Sequence, residues 1–278
     1  ELRKILEYPL SSVSEDASLG LIACAWRRWG DALPAHLSGD FALSIIDFTQ
    51  RRLLLVRDPL GCKPLYYWRD ARMVVFATSV ALLRRLLPVS PMVDPDWIAR
   101  YLVSISASND RTAYLDVAKL PPGHALSLDR HGQFRIWSYF QFRDDAPPAR
   151  RRDSRWVEAY RECLEKAIRC RMTDSTPIGT ENSGGLDSAT VTAYLAQFLG
   201  EPGDLLHSFA LARWEQEPDY ILETSQYFRI IHNYLVTWLP GLDDALLDRA
   251  LSVLGYPEEQ SNATTHEIFY RECKLRGI

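Results

Sequence analysis

The chain has 278 residues, 47% hydrophobic and 24% charged, with 36 acidic against 32 basic side chains and a formal charge of −4. That balance suits a soluble globular protein of one large or two modest domains, and it offers no basic face for nucleic acid or an anionic membrane. No apolar run reaches the length that spans a bilayer, so the expected compartment is the cytoplasm.

In chain order, Leu19 to Trp29 suits a helix stopped by Gly30. Phe41 to Ile46 and Leu53 to Val56 flank a polar turn at hairpin spacing, and Pro64 to Trp68 with Met73 to Phe76 form a second such pair. Strands this apolar are expected to be covered on both faces, as in a sandwich. Pro121-Pro122-Gly123-His124 marks a sharp turn, and the polar, Arg-rich stretch Asp144 to Asp153 reads as a domain boundary. Beyond it Trp156, Tyr160, Cys163, Leu164, Ala167 and Ile168 recur at helical spacing. Pro177 to Asn182 is then a short strand, Ala189 to Leu199 a helix ended by Gly200, and Leu205 to Leu211 an apolar strand. Strand, loop, helix and strand within so short a span make a βαβ unit and hence a parallel sheet. A helix from about Tyr220 to His232, a strand near Tyr234 to Trp238 and a helix from Asp243 to Leu254 are expected to follow.

The loop inside that unit is Ser183-Gly184-Gly185-Leu186-Asp187-Ser188. Small residues let the backbone approach a phosphate closely, and successive N–H groups opening onto a helix N-terminus form an anion nest. Ser183 and Ser188 add hydroxyl donors. Asp187 would be repelled by a bare polyphosphate, so its role there is to hold Mg²⁺ bridging the phosphate oxygens. Neither a Walker lysine nor a Gly-x-Gly-x-x-Gly turn is present. The five cysteines, Cys24, Cys62, Cys163, Cys170 and Cys273, include no Cys-x-x-Cys pair, and the six histidines show no metal spacing.

Ser-Gly-Gly-Leu-Asp-Ser after a strand resembles the signature of ATP pyrophosphatases. Leu206-His207-Ser208-Phe209-Ala210, Gly39-Asp40-Phe41-Ala42, Arg57-Asp58-Pro59-Leu60-Gly61, Lys63-Pro64-Leu65-Tyr66-Tyr67 and Leu120-Pro121-Pro122-Gly123-His124 extend the likeness in register to the glutamine-dependent asparagine synthetase family. The resemblance implies α/β and α+β architecture: a partial N-terminal-nucleophile-type αββα sandwich, then part of a parallel-sheet adenine-nucleotide α-hydrolase-like (PP-loop) domain. Residues 1–142 would be the later part of a glutaminase-like domain, 143–153 a linker, and 154–278 the first half of an ATP-pyrophosphatase domain. By the same resemblance Ser183, Gly184, Gly185, Leu186, Asp187 and Ser188 bind ATP, Leu211 lies beside the adenine, and Asp187 ligates Mg²⁺. The family adenylates the side-chain carboxylate of aspartate and aminates it with ammonia from glutamine. The implied partners are therefore small molecules, with no nucleic acid and no membrane, and a homodimer is compatible with the family.

The family's glutaminase half uses an N-terminal cysteine as nucleophile, whereas this sequence opens on Glu1, so no catalytic cysteine is expected within it. Asp16 is the candidate for the acid that receives the glutamine amine, with Ser18 in the better register. The chain reads as a fragment, expected to catalyse neither half reaction by itself. Glu181 and Asn182 stand where the family usually carries apolar residues, Ser79 where it often carries Glu, and Tyr220 where an acid often follows Asp219. Two other readings follow from these departures. One is a relative closing an internal amide, a lasso-peptide cyclase or β-lactam synthetase; the other is a non-catalytic remnant.

Overall fold

The computed structural model describes residues 15–105, 110–142, 154–172, 177–212, 217–237, 244–257 and 263–278, and the side chains of 15–18, 211–212, 217–218, 235–237 and 263–265 lie outside the described set. Its contacts divide into two units, residues 1–144 with 251–259, and residues 145–250 with 260–278.

The first unit begins with helix α1 (Glu15–Trp29) and a 3₁₀ turn (Gly30–His36). Strands β1 (Ala42–Asp47) and β2 (Arg52–Arg57) then pair antiparallel from Ala42↔Arg57 to Asp47↔Arg52. Asp47 makes that hairpin: its Oδ1 accepts from the Thr49 and Gln50 N–H groups at 2.9 Å each, and its Oδ2 accepts from Trp26 Nε1 of α1 at 3.1 Å. The second hairpin is β3 (Tyr66–Arg69) with β4 (Val74–Ala77), again antiparallel. Helices α2 (Val80–Leu86) and α3 (Pro95–Leu102) follow, then β5 (Val117–Lys119), β6 (His124–Leu128) and β7 (Phe134–Ser138). Two sheets result, in the orders β1-β2-β6-β7 and β4-β3-β5.

Period-two alternation on β2 explains why its apolar run is buried throughout. Leu54 and Val56 pack with Ala125, Trp26 of α1 and Trp137, whereas Leu55 packs from the other face with Leu65, Leu120 and Leu126. A sheet covered by a helix on one face and by residues of the second sheet on the other is the αββα sandwich expected from the sequence.

Arg57 and Asp58 close this frame. The buried Arg57 guanidinium donates to the carbonyls of Lys63, Leu120 and Gly61 at 2.8–3.0 Å, and burial lowers its pKa. Asp58, also buried, accepts from the N–H groups of Leu60, Cys62 and Lys63 at 2.9–3.1 Å. Both residues are thereby committed to folding the 58–63 loop.

A segment far along the chain completes the second core of this unit. Tyr256 is buried among Tyr66, Trp68, Val80, Leu83, Trp97 and Val117, with its hydroxyl 3.3 Å from that of Tyr66. Ser79 Oγ donates to the Val253 carbonyl at 2.9 Å, and Tyr114 Oη donates to the Gly255 carbonyl at 3.0 Å. Ser79 also caps α2, accepting from Leu82 N–H.

The second unit holds α4 (Ser154–Arg169), β8 (Ile178–Glu181), α5 (Leu186–Leu199), β9 (Gly203–Ala212), α6 (Glu217–Tyr227), β10 (Ile230–Thr237), most of α7 (Asp244–Leu254) and α8 (Ala263–Leu275). Its sheet is fully parallel, in the order β10-β9-β8. Ile168 of α4, Leu195 and Ala196 of α5, Leu206 and Ile230 form one core. Phe269 of α8 packs with Phe209, Tyr234, Cys273 and Ile278 in another.

Two expectations require correction. The helix read from Tyr220 to His232 stops at Tyr227, because Arg229 takes a left-handed turn (φ 56°) and the buried Ile230 already starts β10. The apolar stripe read on α4 is only half used: Leu164 and Ile168 meet the core, whereas Trp156 and Tyr160 stay exposed. Among the described residues no helix is long and apolar enough to cross a membrane.

Candidate functional site

β8 ends at Glu181, and the ladder continues one residue further through Asn182 N–H to the Phe209 carbonyl at 2.8 Å. The chain then turns sharply. Gly184 sits at φ +75°, a conformation that costs a side-chain-bearing residue about 1 kcal/mol or more. Gly185 is the N-cap of α5 in extended conformation and has no side-chain cap. Ala189 N–H makes a helical bond to the Gly185 carbonyl at 3.0 Å, so the first amides of the helix ahead of it have no acceptor within the helix. The partial positive charge of the helix N-terminus adds to them.

The two serines close on each other. Ser188 Oγ lies 3.0 Å from Ser183 Oγ, accepts from Ser183 N–H at 3.1 Å and donates to the Gly185 carbonyl at 3.1 Å. This clasp holds the bend in shape, a second role beside the donor role read from sequence. Leu186 and Asp187 project outward, with Leu186 84% exposed. Leu211 lies on β9 opposite Val236, but its side chain lies outside the described set, as does that of Asp16 in α1.

Asn182 is the residue whose part the sequence did not announce. It is fully buried, its Oδ1 accepts from Gly184 N–H at 3.4 Å, and its Nδ2 donates to the Ile221 carbonyl of α6 at 3.4 Å. The signal available was that Asn182 stands where the family usually carries an apolar residue. Beneath it, the buried hydroxyls of Thr180 on β8 and Thr192 on α5 lie 3.1 Å apart.

Asp187 is an exposed carboxylate in the first turn of α5, and a magnesium ion held there would share its coordination with phosphate oxygens and water. Among the described residues no three His, Cys, Asp or Glu side chains gather into a metal site. Two histidines do meet, His207 and His232, stacked at 4.3 Å across β9 and β10; burial, and then the neighbouring ring, hold His207 below its ordinary pKa. In the first unit Cys62 is exposed, and its N–H is bound to Asp58.

Comparison with known proteins bears on both units. A family described as glutamine amidotransferase domain matches residues 1–140, and one described as asparagine synthase matches residues 159–273. An asparagine synthetase (glutamine-hydrolyzing) 2 of Lotus japonicus is 28% identical over 288 aligned positions, covering 100% of this chain and 43% of its own. Asparagine synthetase (glutamine-hydrolyzing) 3 of Bacillus subtilis is 23% identical, covering 76% of this chain and 34% of its own. An amidase of Gibberella zeae, chry2, is 27% identical, covering 64% and 26%. The chain thus spans less than half the length of these curated relatives.

Proposed function

Since the chain belongs to the glutamine-dependent asparagine synthetase family, we propose that its protein is an ATP-dependent amide-forming ligase that adenylates the side-chain carboxylate of aspartate and aminates it with ammonia released from glutamine. The observation that carries this reading is the bend Ser183–Ser188, set between a parallel strand and a helix N-terminus that no side chain caps. We assign residues up to about 142 to the glutaminase-like part and those from about 154 onward to the ATP-using part, on the two family matches and the change from antiparallel to parallel sheet.

In this mechanism the aspartate carboxylate oxygen attacks the α-phosphorus of ATP. A P–O bond forms to the acyl oxygen and the bond to pyrophosphate breaks. Ammonia then adds to the acyl carbon, and AMP leaves with the bonding pair. A carboxylate is a poor electrophile until its oxygen becomes part of such a leaving group. The Gly185–Ser188 amides hold the phosphate oxygens and take up charge as pyrophosphate departs. The Ser183–Ser188 clasp keeps these donors aimed, which limits reorganisation during the step. Magnesium, when bound, supplies further neutralisation of the phosphate charge, and Asp187 is the side chain that would share in holding it.

The test is isotope exchange between ATP and pyrophosphate on the full-length protein. Exchange that depends on aspartate is the expected result. Exchange driven by a different carboxylate, with none for aspartate, would overturn the proposed substrate.

A further inference from the structure

In the first unit, the sheet face that α1 covers ends in a polar cavity of about 390 Å³. Ladder pairing puts Leu54, Ser127 and Arg135 in one row across β2, β6 and β7, with Val56, Ala125 and Trp137 in the row beside it. Trp26 of α1 packs against the apolar members of these rows. On the far side of Ser127 the apolar cover stops, and Arg52, Asp129 and Gln133 line the cavity together with Asp31 of the 3₁₀ turn. This is the start of β2, the opposite end from Arg57 and Asp58. The carboxylates here are already engaged. Asp31 pairs with Arg52, and Asp129 Oδ1 accepts from the His131 and Gln133 N–H groups at 2.8 and 2.9 Å, which shapes the turn between β6 and β7. The donors are not. Arg130 Nε donates to His131 Nε2 at 2.9 Å, and its terminal nitrogens meet no acceptor among the described residues. Arg135 forms no ion pair among them; its guanidinium lies over the Trp137 ring, 4.4 Å from the centre, which fixes its plane and leaves its N–H edges open. Ser127 is only 6% exposed, yet among the described residues its hydroxyl makes no hydrogen bond. A hydroxyl held that deep against a cavity is costly unless the cavity's contents meet it.

We infer that this cavity binds the phosphate group of a small molecule, with Arg130, Arg135 and Ser127 donating to its oxygens. The inference is independent of the nucleotide reading of the Ser183–Ser188 bend. Arg52, Arg130 and Arg135 outnumber the two carboxylates, so the cavity favours an anion. The three open donors come from different sides: Arg130 from the turn, Arg135 from the outer strand of the sheet, and Ser127 from the buried floor. A tetrahedral phosphate presents oxygens in three directions and carries between one and two negative charges at neutral pH. A carboxylate presents two oxygens in one plane and leaves one side of such a site unmet. Arginine forks match pairs of phosphate oxygens, and a guanidinium already held flat by an aromatic ring loses little freedom on binding. The volume lies at the small end of the range for small-molecule sites, about 300–1,000 Å³, which leaves room beside the phosphate for a compact group that bears it.

The experiment is calorimetric titration of the full-length protein, and of its Arg130→Gln, Arg135→Gln and Ser127→Ala variants, with inorganic phosphate, phenyl phosphate and malonate at constant ionic strength. Both phosphates are expected to saturate one site that each arginine variant weakens by about tenfold or more, the scale of hydrogen bonds between charged groups. Ser127→Ala should weaken it by less, and malonate should bind the wild type more weakly than either phosphate. Tighter binding of phenyl phosphate identifies the occupant as a phosphate ester, and tighter binding of inorganic phosphate identifies it as the free ion. Arg130 is exposed on its turn, so the urea midpoint of Arg130→Gln should match the wild type, which separates lost binding from lost folding. Malonate binding as tightly as phosphate would overturn the inference, as would the absence of saturable phosphate binding. Phosphate binding that survives both arginine variants would overturn it too, by placing the anion elsewhere, and would leave the proposed ligase function untouched.

Discussion

The Asp58 carboxylate accepts three backbone N–H bonds in a buried loop, and this fixes how it responds to acid. Burial pushes its pKa up, but the N–H donors of Lys63, Cys62 and Leu60 outweigh burial and leave it below the ordinary carboxylate value. A carboxyl depressed in the folded state stabilises the fold fully above its unfolded pKa of about 3.9, and the contribution is lost as pH falls through the lower folded value. Asp58→Asn should therefore cost about 1–3 kcal/mol near neutral pH, with the gap to wild type closing below about pH 4. Urea unfolding at a series of pH values measures this, and a constant gap would refute it. Asp187, by contrast, is exposed and serves no such loop. Asp187→Asn keeps the side-chain volume and removes the charge, so pyrophosphate release should fall by at least 100-fold in the full-length protein while glutaminase activity persists. Unchanged release would take Asp187 out of the metal role.

At the level of elements, both hairpins and the βαβ unit were legible because their signals are local. Asp47 and its turn lie between two apolar runs, and Gly184-Gly185 lie between a strand and a helical pattern. The phosphate loop itself could be read residue by residue, whereas the Asn182 bridge spans 39 residues and its partner, the Ile221 carbonyl, leaves no mark in the sequence. The end of α6 was missed because the left-handed turn falls on Arg229, where glycine or asparagine would have signalled it. The junction of α7 with α2 was hidden for the same reason as Asn182. Ser79 bonds to Val253 across 174 positions, and Gly255 must approach the α2 backbone so closely that a Cβ would lie 2.3 Å from Ala81 N. Gly255 also has φ +87°. Gly255→Ala thus meets rigid backbone in an unfavourable conformation, and the expected loss is on the order of 3 kcal/mol, seen as a lower urea midpoint. Retention of the wild-type midpoint would mean that this close approach does not hold in solution.

On the scale of the whole molecule, sequence order and structural units part company. The family match to the glutaminase-like part ends at residue 140, yet the unit that contains it also includes residues 251–259. Tyr256 supplies an aromatic ring to that unit's core, edge-on to Tyr66 at 6.2 Å and to Trp97 at 5.7 Å between ring centres. A piece cut at residue 144 would keep every strand of both antiparallel sheets but leave a hole beside Trp97, which is only 1% exposed when Tyr256 is present. Losing a buried aromatic side chain costs about 3–5 kcal/mol, a large share of the stability of a domain this size. The isolated 1–144 piece should therefore unfold at a clearly lower denaturant concentration than the same unit in the whole chain, followed by tryptophan fluorescence. Tyr256→Ala in the whole chain should reproduce most of that decrement, since it removes the same ring without removing the segment. If the isolated piece matched the whole chain, the distant segment would be packing that the unit does not need. If the truncation weakened it and Tyr256→Ala did not, the stabilisation would lie in the backbone bonds at Val253 and Gly255 instead of in the ring.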